Sequence, residues 1–227
     1  VSVNGVFLID KPVGPTSHDV VDVLRRVAGE KTIGHAGTLD PLASGLLLVG
    51  IGREFTKRLD RFRGLPKVYE ATVTLGSESS TYDREGELTA VSDRQPGGEE
   101  VERALRQLGE SREQLPPIFS AKKIQGTSAH RLARQGKTVE LRPSAIEIYS
   151  IKLVDYRYPQ VSFTAKVSAG TYIRSLAHDI GKLLNIGAYL SALRRTQIGD
   201  FSVDRAVGLD EIRSLADLEK ARINGVL

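Results

Sequence analysis

Residues 32–52 constrain this chain more than any other stretch. Five glycines punctuate a run whose one formally charged side chain is Asp40, and it ends in the apolar block Leu46-Leu47-Leu48-Val49. Such a segment fits a glycine-rich loop feeding a strand covered on both faces. Asp40 then stands against Leu39, Pro41 and Leu42, where desolvation makes an unpaired carboxylate costly. Pro41 biases Asp40 towards extended backbone, and the glycines let the main chain approach a ligand closely, as a presented nucleophile requires. Asp followed by Pro is equally the start of a helix, with Asp as N-cap and Pro in the first helical position. On these features alone the cap is the stronger reading.

The surroundings read as a mixture of strands and helices. Residues 5–10 form a short apolar run closed by Lys11-Pro12-Val13-Gly14-Pro15, and Thr16 with Asp19 three residues on has the spacing of a capping box. Val20, Leu24 and Val27 then share a helical face up to Gly29. Tyr69, Ala71, Val73 and Leu75 alternate with polar residues, as do Val161, Phe163, Ala165 and Val167, the period of half-buried strands. Residues 77–98 are polar and turn-rich. Residues 99–108 predict an acidic surface helix, 128–135 a short basic one and 209–221 a C-terminal one. Ile173, Leu176, Ala177, Ile180 and Leu184 lie on one face of a further helix. Hairpin-like strands interspersed with helices, without regular alternation, predict an α+β fold with a mainly antiparallel sheet.

Composition bounds the function classes. The sequence has no cysteine, which excludes disulfides, thiol nucleophiles and zinc–thiolate sites. The N-terminal apolar run is too short for a signal peptide or a membrane span, so a cytoplasmic protein is expected. Net charge is only +4, but it is uneven. Arg53, Lys57, Arg58, Arg61, Arg63 and Lys67 fall in one segment, and Lys122, Lys123, Arg131, Arg134, Lys137 and Arg142 in another. Two such segments could grip a polyanion, or could be solvated faces. The histidines show no ligand spacing with Asp40, so no metal site is expected.

Arg174 is awkwardly placed. A helix starting near Thr171 puts it in the first turn, where the macrodipole disfavours a cation by about 0.3–1 kcal/mol. A buried carboxylate would hold it there, bidentately if geometry allows.

Taken in order, the segments resemble a known family. Val6-Phe7-Leu8-Ile9-Asp10-Lys11-Pro12 with Thr16-Ser17, then Gly34-His35-Ala36-Gly37-Thr38-Leu39-Asp40-Pro41, look like the opening motifs of TruB-type pseudouridine synthases. Lys67-Val68-Tyr69 leading into Thr81-Tyr82-Asp83 comes next, followed by Pro116-Pro117-Ile118-Phe119-Ser120-Ala121-Lys122-Lys123. Gly170-Thr171-Tyr172-Ile173-Arg174, with Leu193-Arg194-Arg195 behind it, completes the family order across the whole chain. Five ordered blocks outweigh the helix-cap reading of Asp40.

The resemblance implies the pseudouridine-synthase fold, a mixed, mainly antiparallel sheet flanked by helices with a central RNA-binding cleft. It implies a reaction without a cofactor: uridine in the T-loop of tRNA, at position 55, becomes pseudouridine. Asp40 matches the attacking aspartate, Tyr69 the tyrosine that stacks on the flipped base and can take the C5 proton, and Arg174 the arginine paired with the aspartate. Tyr172 and Leu193 match pocket residues. His35 matches the histidine that fills the gap left by the flipped base, although a lone histidine could equally brace the glycine loop. Lys11, Lys67 and Lys122 stand in the matching blocks as expected substrate contacts. His130 replaces the family's usual tyrosine. Residues 1–227 would be the catalytic domain, with the family's C-terminal PUA domain absent or not included. The expected partner is the tRNA T-arm, with the protein a monomer and no membrane involved. A tRNA-folding chaperone without catalysis is the alternative.

Overall fold

A computed structural model of the protein describes residues 3–110, 113–120, 123–124, 127–128, 135 and 141–223. The chain divides into two compact units, residues 1–70 with 193–227 and residues 71–192. No helix among the described residues is long and apolar enough to cross a membrane.

The first unit opens with β1 (Gly5–Lys11), followed by α1 (Ser17–Ala28). The capping box forms as read. The Asp19 N–H donates to Thr16 Oγ1 at 3.0 Å, the Thr16 N–H donates to Asp19 Oδ2 at 2.7 Å, and Gly29 ends the helix in the left-handed conformation. The glycine-rich segment is more regular than a loop. It contains β2 (Ile33–Ala36), which turns back to pair antiparallel with β3 (Ala43–Ile51). β1 pairs antiparallel with β3 over its whole length, Gly5 facing Ile51 and Lys11 facing Gly45.

Two short helices, α2 (Arg53–Arg58) and α3 (Asp60–Arg63), follow β3. The apolar run of β3 is continuous because both its faces are covered. Phe7, Ile9, Leu47, Val49 and Ile51 pack with Val20, Val21 and Leu24 of α1. On the opposite face, Val6, Leu8, Leu46 and Leu48 pack with Leu59 and Phe62. Glycines let α2 lie flush on this second face: a Cβ on Gly50 would sit 3.0 Å from the Phe55 carbonyl oxygen. Strand β4 (Lys67–Leu75) shows the expected alternation, and Lys67, Tyr69, Ala71, Val73 and Leu75 are all buried.

In the second unit a hairpin of β5 (Ser77–Ser79) and β6 (Leu88–Ala90) occupies the turn-rich segment, and α4 (Gly98–Gly109) follows. Its acidic face is exposed, while Val101, Ala104, Leu105 and Leu108 are buried. Strands β7 (Ile148–Arg157) and β8 (Gln160–Val167) form an antiparallel pair against which α4 packs. Helix α5 (Ile173–Leu184) presents the predicted apolar face to α4 and ends at left-handed Asn185.

The chain returns to the first unit within β9 (Ala188–Ile198), which sets Leu193 beside Ala43 and Arg195 beside Gly45 in parallel register with β3. A Cβ on Gly45 would lie 2.3 Å from the Arg195 carbonyl oxygen, and its φ is +104°, so only glycine fits. The expected C-terminal helix is shorter than its apolar pattern. Leu209–Glu211 is a 3₁₀ turn, Ile212 is extended, and α6 (Leu215–Lys220) starts afresh because Ser214 accepts from the Asp217 N–H. The expected basic helix over 128–135 lies almost wholly outside the described residues.

Candidate active site

In the first unit, Asp40 sits on the connection between β2 and β3. No helix follows Pro41. Instead the Ala43 N–H donates to the Asp40 carbonyl at 3.0 Å, so Asp40-Pro41-Leu42-Ala43 is a β-turn with Asp first and Pro second, and the helix-cap reading fails. The two readings share the dipeptide. What separates them is how the flanking peptides are held.

Those peptides are held from one side by the segment after β1. Ser17, buried at the start of α1, donates through Oγ to the Leu39 carbonyl at 3.0 Å and accepts from the Leu39 N–H at 2.8 Å. The Gly14 N–H donates to the Pro41 carbonyl at 2.8 Å. Both neighbours of Asp40 are thereby fixed by hydrogen bonds, and the half-buried carboxylate is carried on a rigid turn. A second anchor comes from β9. Arg195 is 1% exposed, and its guanidinium donates from Nε to the Leu46 carbonyl at 2.8 Å and from Nη2 to the Gly37 carbonyl at 3.0 Å, spanning the two ends of the Asp40 connection. Arg194 beside it binds Asp10 bidentately at 2.7 and 3.0 Å.

The buried Arg195 cation also acts on its neighbours. Burial, and then Arg195, hold the half-buried His35 imidazole below its ordinary pKa, which favours the neutral ring at pH 7. His35 lies in β2 opposite Val49, and its Nδ1 is buried without a hydrogen-bond partner among the described residues, so it does not brace the loop through that atom. Lys67 is pulled down to about 8 by the same two causes in the same order. It is not a surface cation: its Nζ donates to the carbonyls of Arg63 at 2.6 Å and Leu65 at 2.7 Å, closing the turn before Tyr69. Lys11 is fully buried and caps the Pro12 and Pro15 carbonyls at 2.8 Å each. The family resemblance makes both lysines substrate contacts, and in the structure the ammonium group of each holds two backbone carbonyls. Tyr69 is 8% exposed on β4, and Leu193 is half-buried.

In the second unit, Tyr172 is the residue before the first turn of α5, and Gln114 clamps its backbone. Gln114 Oε1 accepts from the Tyr172 N–H at 2.8 Å, and Nε2 donates to the Tyr172 carbonyl at 3.0 Å. Arg174 lies in the first turn, as expected, and is buried. Its Nη1 donates to Asp83 Oδ2 and to the Thr81 carbonyl at 3.3 Å each, and Nη2 donates to the Phe119 carbonyl at 2.8 Å. The awkward position called for a buried carboxylate, for which the resemblance named Asp40; the one that accepts from Arg174 Nη1 in this unit is Asp83. Asp83 accepts in addition from Thr81 Oγ1 at 2.6 Å and from the Glu85 N–H at 3.0 Å. Tyr82 before it adopts φ +65° and stacks on His178, rings 4.0 Å apart and 9° from parallel. Asp83 stood inside the Thr81-Tyr82-Asp83 motif but carried no assigned role; an acid in a polar, turn-rich stretch gives no local sign of burial. Lys122 and His130 lie outside the described residues.

Residues 25–173 match the profile of the TruB family pseudouridylate synthase N-terminal domain, and residues 174–225 that of the tRNA pseudouridylate synthase B C-terminal domain. The chain belongs to the TruB family. Its relatives include tRNA pseudouridine synthase B of Chlamydia trachomatis, 43% identical over 91% of this chain and 85% of that protein. The synthase of the same name from Aquifex aeolicus is 42% identical over 96% of this chain and 76% of that one. Among solved structures, a Cbf5–Nop10–Gar1 complex contains a chain similar to this one with a TM-score of 0.72 and 29% identity, over 91% of this TruB-family chain and 53% of that chain. The expected α+β fold, a large mixed sheet flanked by helices, is the fold of this family.

Proposed function

We propose that the protein isomerises uridine to pseudouridine in tRNA, at the T-loop position expected of its family, with Asp40 as the nucleophile. The observation that carries this is the Asp40 turn: a carboxylate on a connection whose neighbouring peptides are both fixed, in a chain of the TruB family. A rigidly held side chain meets the geometric demand of nucleophilic catalysis. The target nucleotide is extruded from the T-loop so that its N1–C1′ bond becomes reachable, and stacking offsets the lost base stacking. The N1–C1′ bond breaks, the base turns, C5 bonds to C1′, and the C5 proton leaves. Asp40 attacks either C1′ of the ribose, with N1 of the base as leaving group, or C6 of the base, and the bond it forms breaks again once C5 has bonded to C1′; N1 takes up a proton in exchange for the one lost from C5, and the carboxylate is regenerated.

Tyr69 stacks on the extruded base and takes the C5 proton, and Arg174 supplies the cation that keeps a catalytic carboxylate ionised. Tyr172 and Leu193 shape the pocket, and His35 occupies the space the base vacates. The protein works as a monomer in the cytoplasm on the T-arm. The test is a T-arm transcript incubated with the protein and mapped for pseudouridine at each uridine. Conversion confined to the T-loop supports the reading. Tight RNA binding with no conversion would instead indicate a folding chaperone.

A further inference from the structure

The segment between β3 and β4 carries a row of cations that takes no part in the Asp40 turn. Leu59, between α2 and α3, keeps helical angles (φ −58°, ψ −24°), so residues 53–63 run as one nearly continuous helical stretch. Its basic residues divide into two groups. Arg58 is committed to Glu54 at 2.5 Å and Arg63 to Asp60 at 2.6 Å, and Lys67 is buried beneath the following turn. Arg53, Lys57 and Arg61 remain exposed, with no carboxylate partner among the described residues. They recur every fourth residue, hence on one side of the stretch, about 6 Å apart along its axis. Together with Glu54 and Arg58 they line a hollow of about 520 Å³.

We propose that Arg53, Lys57 and Arg61 form a phosphate-binding strip for the RNA backbone, separate from the residues that act on the target uridine. The strip rests on the proposed RNA-modifying function and names which cations of the basic segment engage RNA. Its length, about 12 Å by helix rise, matches roughly three to four phosphates of one strand at about 3.4 Å of duplex axis each. An anionic membrane surface fits less well. A membrane-lying helix needs an exposed apolar face, whereas here Leu59 and Phe62 are buried and Phe55 is half-buried. The first residue of the strip, Arg53, stands beyond the end of β3 opposite the Asp40 turn, and all three cations are exposed while Leu59 and Phe62 of the same stretch pack inward on the sheet. Its contacts should therefore govern how firmly RNA is held while leaving the chemistry alone.

The experiment uses the full chain with an unmodified tRNA transcript. The triple variant Arg53→Gln/Lys57→Gln/Arg61→Gln is compared with a charge-matched control, Arg26→Gln/Arg103→Gln/Lys166→Gln, whose three residues are exposed elsewhere. The strip variant should weaken tRNA binding at 150 mM salt on the order of tenfold or more and reduce the slope of log K against log salt by about 2 to 3. At saturating tRNA its kcat should equal that of wild type, and the control should change neither quantity appreciably. Equal affinity losses in the two variants, or a fall in kcat with unchanged affinity, would overturn the strip. So would RNA binding retained by the variant alongside loss of binding to anionic phosphatidylserine vesicles, which would reassign the row to a lipid surface. If wild type converts uridine while the strip variant binds tRNA normally, the strip alone fails; if wild type binds no tRNA, both readings fail.

Discussion

Ser17→Ala isolates the contribution of the turn that carries Asp40. The substitution deletes one oxygen, and that oxygen serves both polar groups of a single buried peptide residue: the Leu39 N–H at 2.8 Å and the Leu39 carbonyl at 3.0 Å. A buried donor or acceptor left without a partner costs about 1–3 kcal/mol, so an unrelaxed loop would lose about 2–6 kcal/mol. Leu39 can relax towards the cavity left by Oγ and admit water, which places the expected stability loss at the low end, about 2 kcal/mol. For a chain of this length that is a fall in Tm of about 4–8 °C. The mechanistic consequence is larger. Asp40 follows Leu39 directly, and a nucleophile displaced by a fraction of an ångström loses reactivity steeply, so kcat should fall about 10- to 100-fold while KM for tRNA changes little. Val20→Ala, in the same helix and 0% exposed, is the matched control. It removes two buried methyl groups, worth about 2 kcal/mol with the cavity, without touching the turn. Single-turnover rates of both variants, measured well below their melting temperatures, decide the matter. Equal kcat for the two variants would refute the claim that Ser17 acts through the position of Asp40.

Two further predictions follow from the charged groups. Asp83→Ala removes the buried carboxylate that accepts from Arg174 Nη1, and urea denaturation should show a loss of about 3–5 kcal/mol; a loss under 1 kcal/mol would mean that the other partners of the guanidinium suffice for it. Lys67 has a folded pKa of about 8 against an ordinary 10.5. The unfolded chain therefore binds more protons at this site between those values, and the Lys67 contribution to stability rises as pH rises from about 8 towards 10.5. Denaturation midpoints at pH 7.5 and 9.5 should show wild type gaining on Lys67→Met; parallel behaviour would show that Lys67 is solvated like a surface lysine.

Much of the fold was legible where one local rule decided the outcome. The Thr16–Asp19 box, Gly29 and the apolar face of α5 are set by neighbours within one or two turns, and they formed as read. Strands β2 and β9 were not legible. β2 is an edge-like piece of four residues in a glycine-rich run, too short to show the alternation by which a strand is read. β9 contains Arg194 and Arg195, charges that break a strand's apolar pattern and give no local sign of burial, yet Asp10 satisfies one and backbone carbonyls the other. The candidate site divides the same way. Arg174 announced its need for a buried carboxylate through the helix dipole, but nothing local identified Asp83, 91 residues away. Asp40-Pro41 could not distinguish a helix cap from a β-turn, because the partners that decide it, Ser17 and Gly14, belong to a distant segment.

The central claim, that Asp40 is the nucleophile of a uridine isomerisation, is tested most directly by tritium release from a T-arm substrate labelled at C5 of uridine. Asp40→Asn should bind that RNA as tightly as wild type and release no tritium above background, while wild type releases it in step with pseudouridine formation. Tritium release by Asp40→Asn at the wild-type rate would contradict the account.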